Sequence, residues 1–132
     1  MSAEPALRWP LLWASGGILL SAYVIYGALT RITLFVPTTI WDKASHALAF
    51  FVLTVWFSAL TPRRRLLQLA LAMLVFGIAI EVAQSFTATR QADVLDVVAD
   101  VIGIAAGAGL AWLGLRRWAL WAERIVGRAV SR

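Results

Sequence analysis

The sequence predicts an all-α membrane protein: an up-down bundle of four transmembrane helices with an interfacial amphipathic helix at the C-terminus. Two observations predict it. Hydrophobic residues make up 61% of the 132-residue chain and charged residues 14%, more apolar side chain than one soluble domain of this size can hide. Apolar runs close to the ~20 residues needed to cross a bilayer core then recur four times. Each run has to be helical, because lipid offers backbone groups no other hydrogen-bond partner.

The first span is read as residues 11–29. It is longer than the apolar region of a usual signal peptide and is followed by no clear small-x-small cleavage site, so it reads as an uncleaved span. The connector from Thr30 to Trp41 is apolar and contains Pro37, which suits a segment lying on the membrane or dipping into it. The second span covers about 43–60, and Thr61–Arg65 is a short turn. The third covers 66–86, and a second turn, Thr87–Ala92, contains Arg90. The fourth covers about 93–115. Short turns force successive helices to run antiparallel. Gly103, Gly107 and Ala111 recur every four residues in the fourth span, and such a small-xxx-small row lets another helix approach closely. The whole chain, 1–132, reads as one domain.

The tail, 116–132, is basic. Trp118, Trp121, Ala122, Ile125 and Ala129 fall on one helical face, with Arg117, Arg124 and Arg128 on the other. That pattern fits an anchor on anionic lipid, with docking of a partner protein as the other reading. The bias of Lys and Arg sets orientation. With the N-terminus in the cytoplasm, Arg8, Arg63, Arg64, Arg65, Arg116, Arg117, Arg124, Arg128 and Arg132 lie inside, whereas Arg31, Lys43 and Arg90 lie outside. The expectation is therefore a multi-pass protein of the bacterial cytoplasmic (inner) membrane with both termini cytoplasmic.

The net charge of +5 would suggest nucleic acid in a soluble chain. Here the basic residues flank apolar runs, so membrane lipid is the expected partner and nucleic acid is not. The chain has no cysteine, which excludes disulfides and thiol catalysis.

Five of the seven acidic residues gather at the outer face on this topology. Asp42, Lys43 and His46 open the second helix. Glu81 and Gln84 close the third. Arg90 lies in the turn, and Asp93, Asp96 and Asp100 open the fourth. Separations of three and four residues put these side chains on common helix faces. By helical rise, one layer below the outer surface can hold His46, Glu81, Asp96 and Asp100. Charge within a membrane is costly, by ~2.5–3.5 kcal/mol per group at a helix centre, and such groups normally pair with each other or carry a function. Pairing of Lys43 and Arg90 with two acids, with His46 and Gln84 linking helices, is the purely structural reading. The acids outnumber the bases, and the surplus calls for a cation, a protonated carboxyl or a ligand. Chemically, His46 is a candidate acid/base, and Lys43 and Arg90 can hold a phosphate or carboxylate. No spacing here is a specific metal signature, so no metal ligand is assigned, and the cofactor is left unknown.

The pattern Asp42-Lys43-x-x-His46-x-x-x-Phe50, Glu81-x-x-Gln84 and Arg90-x-x-Asp93-x-x-Asp96-x-x-x-Asp100-x-x-Gly103-x-x-x-Gly107 resembles the VanZ-like family. These are small bacterial membrane proteins named for an accessory teicoplanin-resistance factor. The family pattern commonly has Asn where this chain has Asp100, so this chain carries an extra carboxylate. The resemblance implies a cell-envelope protein without a settled activity. Processing or binding of a lipid head group, a lipid-linked glycan or a glycopeptide is one function it suggests.

On this reading His46 and Glu81 move protons, Asp93, Asp96 and Asp100 orient them or hold a cation, and Lys43, Arg90, Gln84 and Asp42 contact the ligand. The alternatives are a non-enzymatic ligand-binding or partner-stabilising module and a small ion-coupled transporter. Four short helices leave little room for alternating access without oligomerisation, and an oligomer is left open.

Overall fold

The computed structural model describes residues 6–30, 39–87 and 93–130. Four long helices pack side by side: α1 (Pro10–Thr30), α2 (Thr39–Ser58), α3 (Leu66–Ser85) and α4 (Val94–Trp112). A shorter helix, α5 (Trp118–Val130), follows, and 3-10 turns at Arg63–Arg65 and Leu115–Arg117 introduce α3 and α5. The described residues contain no strand.

Local chemistry sets the helix ends. Pro10 takes the first position of α1, where a missing N–H costs nothing. Asp93 caps α4, its Oδ1 accepting the Leu95 N–H at 2.8 Å. Gly114, with φ of 128°, makes the left-handed step that ends α4 and redirects the chain into α5.

Segments Pro10–Thr30, Arg63–Ser85 and Val94–Trp112 are long and apolar enough to cross a membrane. They leave large side chains such as Leu11, Leu19, Leu67, Val75, Val94 and Ile102 exposed. So much outward apolar surface matches lipid as the surrounding solvent, and the chain is a membrane protein. The second helix, α2, carries Asp42, Lys43 and His46 and does not meet the same apolar standard.

Contacts fix the directions. Trp13 meets Trp56 and Ala28 meets Gln84, so α1 runs against α2 and along α3. Glu81 meets Asp93, and Gly77 meets Asp100, so α3 runs against α4. Consequently α2 and α4 run parallel, and their contact is the closest in the bundle. A Cβ at Gly103 would fall on the Ala47 carbonyl oxygen and 3.0 Å from the Phe51 nitrogen. A Cβ at Gly107 would lie 2.9 Å from Thr54 Cβ and 3.0 Å from the Phe51 carbonyl oxygen. The small-residue row therefore receives the backbone of α2, with Ala111 fully buried one turn further on. Phe50, Ile80 and Ile104 form one apolar core. Leu66, Leu69 and Ala111 form a second towards the C-terminal end of α4.

Element boundaries shift from the sequence reading by one residue at each end of α1, at the end of α3 and at the start of α4, and further at both ends of α2 and at the end of α4. The second helix starts at Thr39, so Thr39–Trp41 belong to it and not to the connector; it stops at Ser58, because the chain turns through Ala59–Thr61. The third helix ends at Ser85. The fourth stops at Trp112, three residues early, because of the Gly114 turn. Thr30 closes α1, and residues 31–38 of the expected surface connector lie outside the described residues.

The other end of the bundle is aromatic. The rings of Trp13, Trp56 and Trp118 pack with centroids 5.0–5.9 Å apart. Each indole N–H is satisfied: Trp56 donates to the Trp13 carbonyl, Trp118 to the Val55 carbonyl and Trp13 to Glu123 Oε1. Glu123 also accepts the backbone N–H groups of Arg8 and Trp9. Burial alone would push the Glu123 carboxyl up, but these three donors and the Arg8 charge outweigh it and hold it below the ordinary value. The expected apolar face of the tail is thus divided. Trp118 and Ala119 turn inward, while Trp121 and Ile125 stay exposed. Sequence reading gave Glu123 no role, since a lone acid in a basic tail carries no local signal.

Gly103→Ala should separate α2 from α4 and destabilise the protein by about 1–3 kcal/mol, the usual cost of overpacking. Gly109→Ala, where a Cβ meets nothing within 4 Å, should leave stability unchanged or raised, since alanine favours helix. Thermal unfolding in detergent distinguishes the two.

Candidate functional site

The N-terminal ends of α2 and α4 meet the C-terminal end of α3, and their polar side chains converge there. His46, on α2, faces two acids of α4: Nδ1 lies 3.0 Å from Asp100 Oδ1, and Nε2 lies 3.6 Å from Asp96 Oδ2. With Asp100 ionised, its carboxylate only accepts, and His46 Nδ1 is then the donor of the pair. Three residues earlier on α2, Lys43 Nζ donates to Asp93 Oδ2 at 2.6 Å and to Asp96 Oδ1 at 2.9 Å. Glu81, on α3, accepts the Asp93 backbone N–H on Oε2 at 2.9 Å. That N–H precedes the first turn of α4 and is one of the donors a helix start leaves over.

His46, Glu81, Asp96 and Asp100 are all buried. Two of their oxygens, Glu81 Oε1 and Asp100 Oδ2, have no hydrogen-bond partner among the described residues. Buried polar atoms without partners are rare and costly. Asp100 Oδ2 lies against Gly77: a Cβ there would come within 2.7 Å of it. The glycine of α3 therefore makes room for a carboxylate of α4, a relation between distant positions that no local pattern announces. One ligand atom from each of His46, Glu81 and Asp96 lies within 4.8 Å of the other two.

Of the expected ligand contacts, Lys43 and Gln84 have partners within the protein. Lys43, expected to hold an anion, bridges two carboxylates of α4. Gln84 is buried and its Nε2 donates to the Ala28 carbonyl at 3.0 Å, tying α3 to α1. Asp42 is half-buried in the first turn of α2. Arg90 lies outside the described residues. A separate open groove, lined by Leu7, Leu60, Pro62, Arg116 and Arg117, sits at the opposite end of the bundle.

The family described as VanZ/LLP1 matches residues 10–116, from the start of α1 to the turn after α4. The chain belongs to this family. The match takes in all four long helices and every residue of the polar cluster. No curated protein and no solved structure matches the chain.

The VanZ-like cluster combines a histidine, three buried carboxylates and a lysine whose Nζ is shared by two acids. Lys43 and Asp93 are partly exposed, whereas Asp96 is 6% exposed at its side chain. The attraction between Lys43 and Asp96 is thus the less screened of the two. A double-mutant cycle on thermal stability should give a larger coupling for Lys43→Ala with Asp96→Ala than for Lys43→Ala with Asp93→Ala. Removal of Lys43 alone should cost more stability than removal of Asp93, because it leaves Asp96 without its cation.

Proposed function

We propose that this VanZ-like chain spans the bacterial cytoplasmic membrane four times, with both termini in the cytoplasm and the polar cluster opening outward. In this reading α2 is the fourth span. Its ionisable residues face α4 instead of lipid, which removes most of the cost of carrying them into the bilayer. The arginines at the opposite end of the bundle and on α5 then meet the cytoplasmic surface, and α5 lies in the interface with Trp121 and Ile125 towards lipid.

The site binds and processes the anionic head group of a lipid, a lipid-linked glycan or a glycopeptide. His46 and Glu81 act as the acid/base pair, with Asp93, Asp96 and Asp100 orienting them. Arg90, three residues ahead of Asp93, takes the anion, since the Lys43 ammonium is engaged by two acids. Asp42, at the rim, contacts the ligand. The observation that carries this reading is the depth at which His46 and Glu81 stand together. Packing alone does not require an imidazole and a carboxylate with an unpartnered oxygen in a buried layer.

A second reading, a binding or partner-stabilising module without chemistry, is favoured by how much of the cluster is already engaged: Lys43 by two acids and Gln84 by α1. The two differ in what single substitutions do. His46→Ala and Glu81→Gln should each abolish envelope activity in cells, measured as loss of glycopeptide tolerance or altered head-group composition, while insertion and helix content stay normal. Full activity in both folded variants would remove the catalytic reading and leave the binding one.

A further inference from the structure

We propose that His46, Glu81 and Asp96 bind a divalent transition-metal ion of the zinc class. The claim rests on the same cluster but not on its substrate. With the ion bound, His46 and Glu81 serve as ligands, so the claim replaces the acid/base roles given to them above and keeps the head-group assignment.

Each of the three side chains has one polar atom tied down and one left over, and one ligand atom from each lies within 4.8 Å of the other two. His46 Nδ1 is held by Asp100 Oδ1, leaving Nε2. Asp96 Oδ1 is held by Lys43, leaving Oδ2. Glu81 Oε2 is held by the Asp93 N–H, leaving Oε1. The three remaining atoms come from three different helices. Glu81 Oε1 is fully enclosed and has no partner among the described residues, in a side chain that is itself 5% exposed. That orphaned oxygen is the independent sign of a missing positive ligand. A buried carboxylate oxygen is otherwise expected to accept a hydrogen bond.

The spacing supports the same conclusion. His46 Nε2 and Asp96 Oδ2 stand 3.6 Å apart, too far for a direct hydrogen bond. Ligands of a tetrahedral zinc, at bonds of ~2.0–2.2 Å, are separated by roughly 3.3–3.6 Å. The pair already stands at that separation, and Glu81, within 4.8 Å of both, completes it by a side-chain adjustment of about 1 Å on the same geometry.

The surroundings are those of a metal site as well. A histidine that binds through one nitrogen and donates the other N–H to a carboxylate is the usual outer arrangement, and here Asp100 is that carboxylate. One imidazole with two carboxylates suits zinc or a neighbouring first-row ion better than calcium or magnesium, which prefer oxygen alone. Three protein ligands leave a fourth position for water or a substrate oxygen. The ion also offsets the surplus of acid. Glu81, Asp93, Asp96 and Asp100 face the single ammonium of Lys43 among the described residues of the cluster.

The test uses the full chain, purified in detergent with any affinity tag removed, stripped with chelator and titrated with zinc chloride alone. We expect one zinc per chain by calorimetry and elemental analysis. Glu81→Gln and Asp96→Asn should each weaken it at least tenfold, while Glu123→Gln, at the other end of the molecule, binds as the parent does. X-ray absorption of the unsubstituted protein should show one imidazole among oxygen ligands, a readout that survives if a variant fails to fold. No saturable zinc in the parent, unchanged affinity in folded Glu81→Gln, or a zinc shell without imidazole overturns the proposal. None of these measurements involves a head group. Failure here therefore leaves the head-group reading standing, and loss of that reading leaves the ion in place.

Discussion

The backbone contact between α2 and α4 is the constraint on which the rest depends. In water, helices associate mainly by burying apolar surface. In lipid that drive is absent, and close van der Waals approach takes its place. Gly103 and Gly107 let α4 come up to the main chain of α2 at Ala47 and Phe51. The Cα hydrogen of Gly103 points at the Ala47 carbonyl, a weak attraction that recurs where helices meet this closely. Any larger side chain at either position pushes the helices apart.

Register follows from that contact. Because α2 and α4 run parallel with Ala47 against Gly103, His46 falls opposite Asp100 and Lys43 opposite Asp96. Shifting one helix by a single residue would turn about 100° of its surface away and leave those acids facing lipid. The polar cluster in turn holds the register, since breaking it would leave buried charges without their partners. Glycine contact and ionic contact are thus two halves of one interface. The third wall comes from α3, where Gly77 makes space for Asp100 and Glu81 reaches the start of α4.

Much of this was legible in the sequence because membrane constraints are strict. Apolar runs located four helices to within a few residues, and the small-residue row marked the surface of α4 that takes another helix. Spacings of three and four residues put the polar side chains on common helix faces, and helical rise allowed His46, Glu81, Asp96 and Asp100 one layer; all four are buried. What stayed hidden depended on tertiary contact. The structural alternative pairs Lys43 with an acid and has Gln84 linking helices, but the particular partners, Asp93 with Asp96 and the Ala28 carbonyl, are set by tertiary contact. The metal-like trio is similarly silent. Its members come from three helices, so no sequence spacing links them as it does in a two-histidine helix motif. Glu123 was missed for the same reason, because its partners Arg8, Trp9 and Trp13 lie more than a hundred residues away.

The central claim is that α2 and α4 touch through their backbones at Gly103, and it can be read without altering the protein. Nuclear Overhauser contacts in a detergent or nanodisc sample labelled at glycine and alanine report it directly. The account predicts strong cross-peaks from the Gly103 Cα protons to protons of Ala47 and to the Phe51 amide, and none from Gly109 to α2. Absence of the Gly103 cross-peaks in a folded, assigned sample would contradict the interface and, with it, the placement of the whole polar cluster.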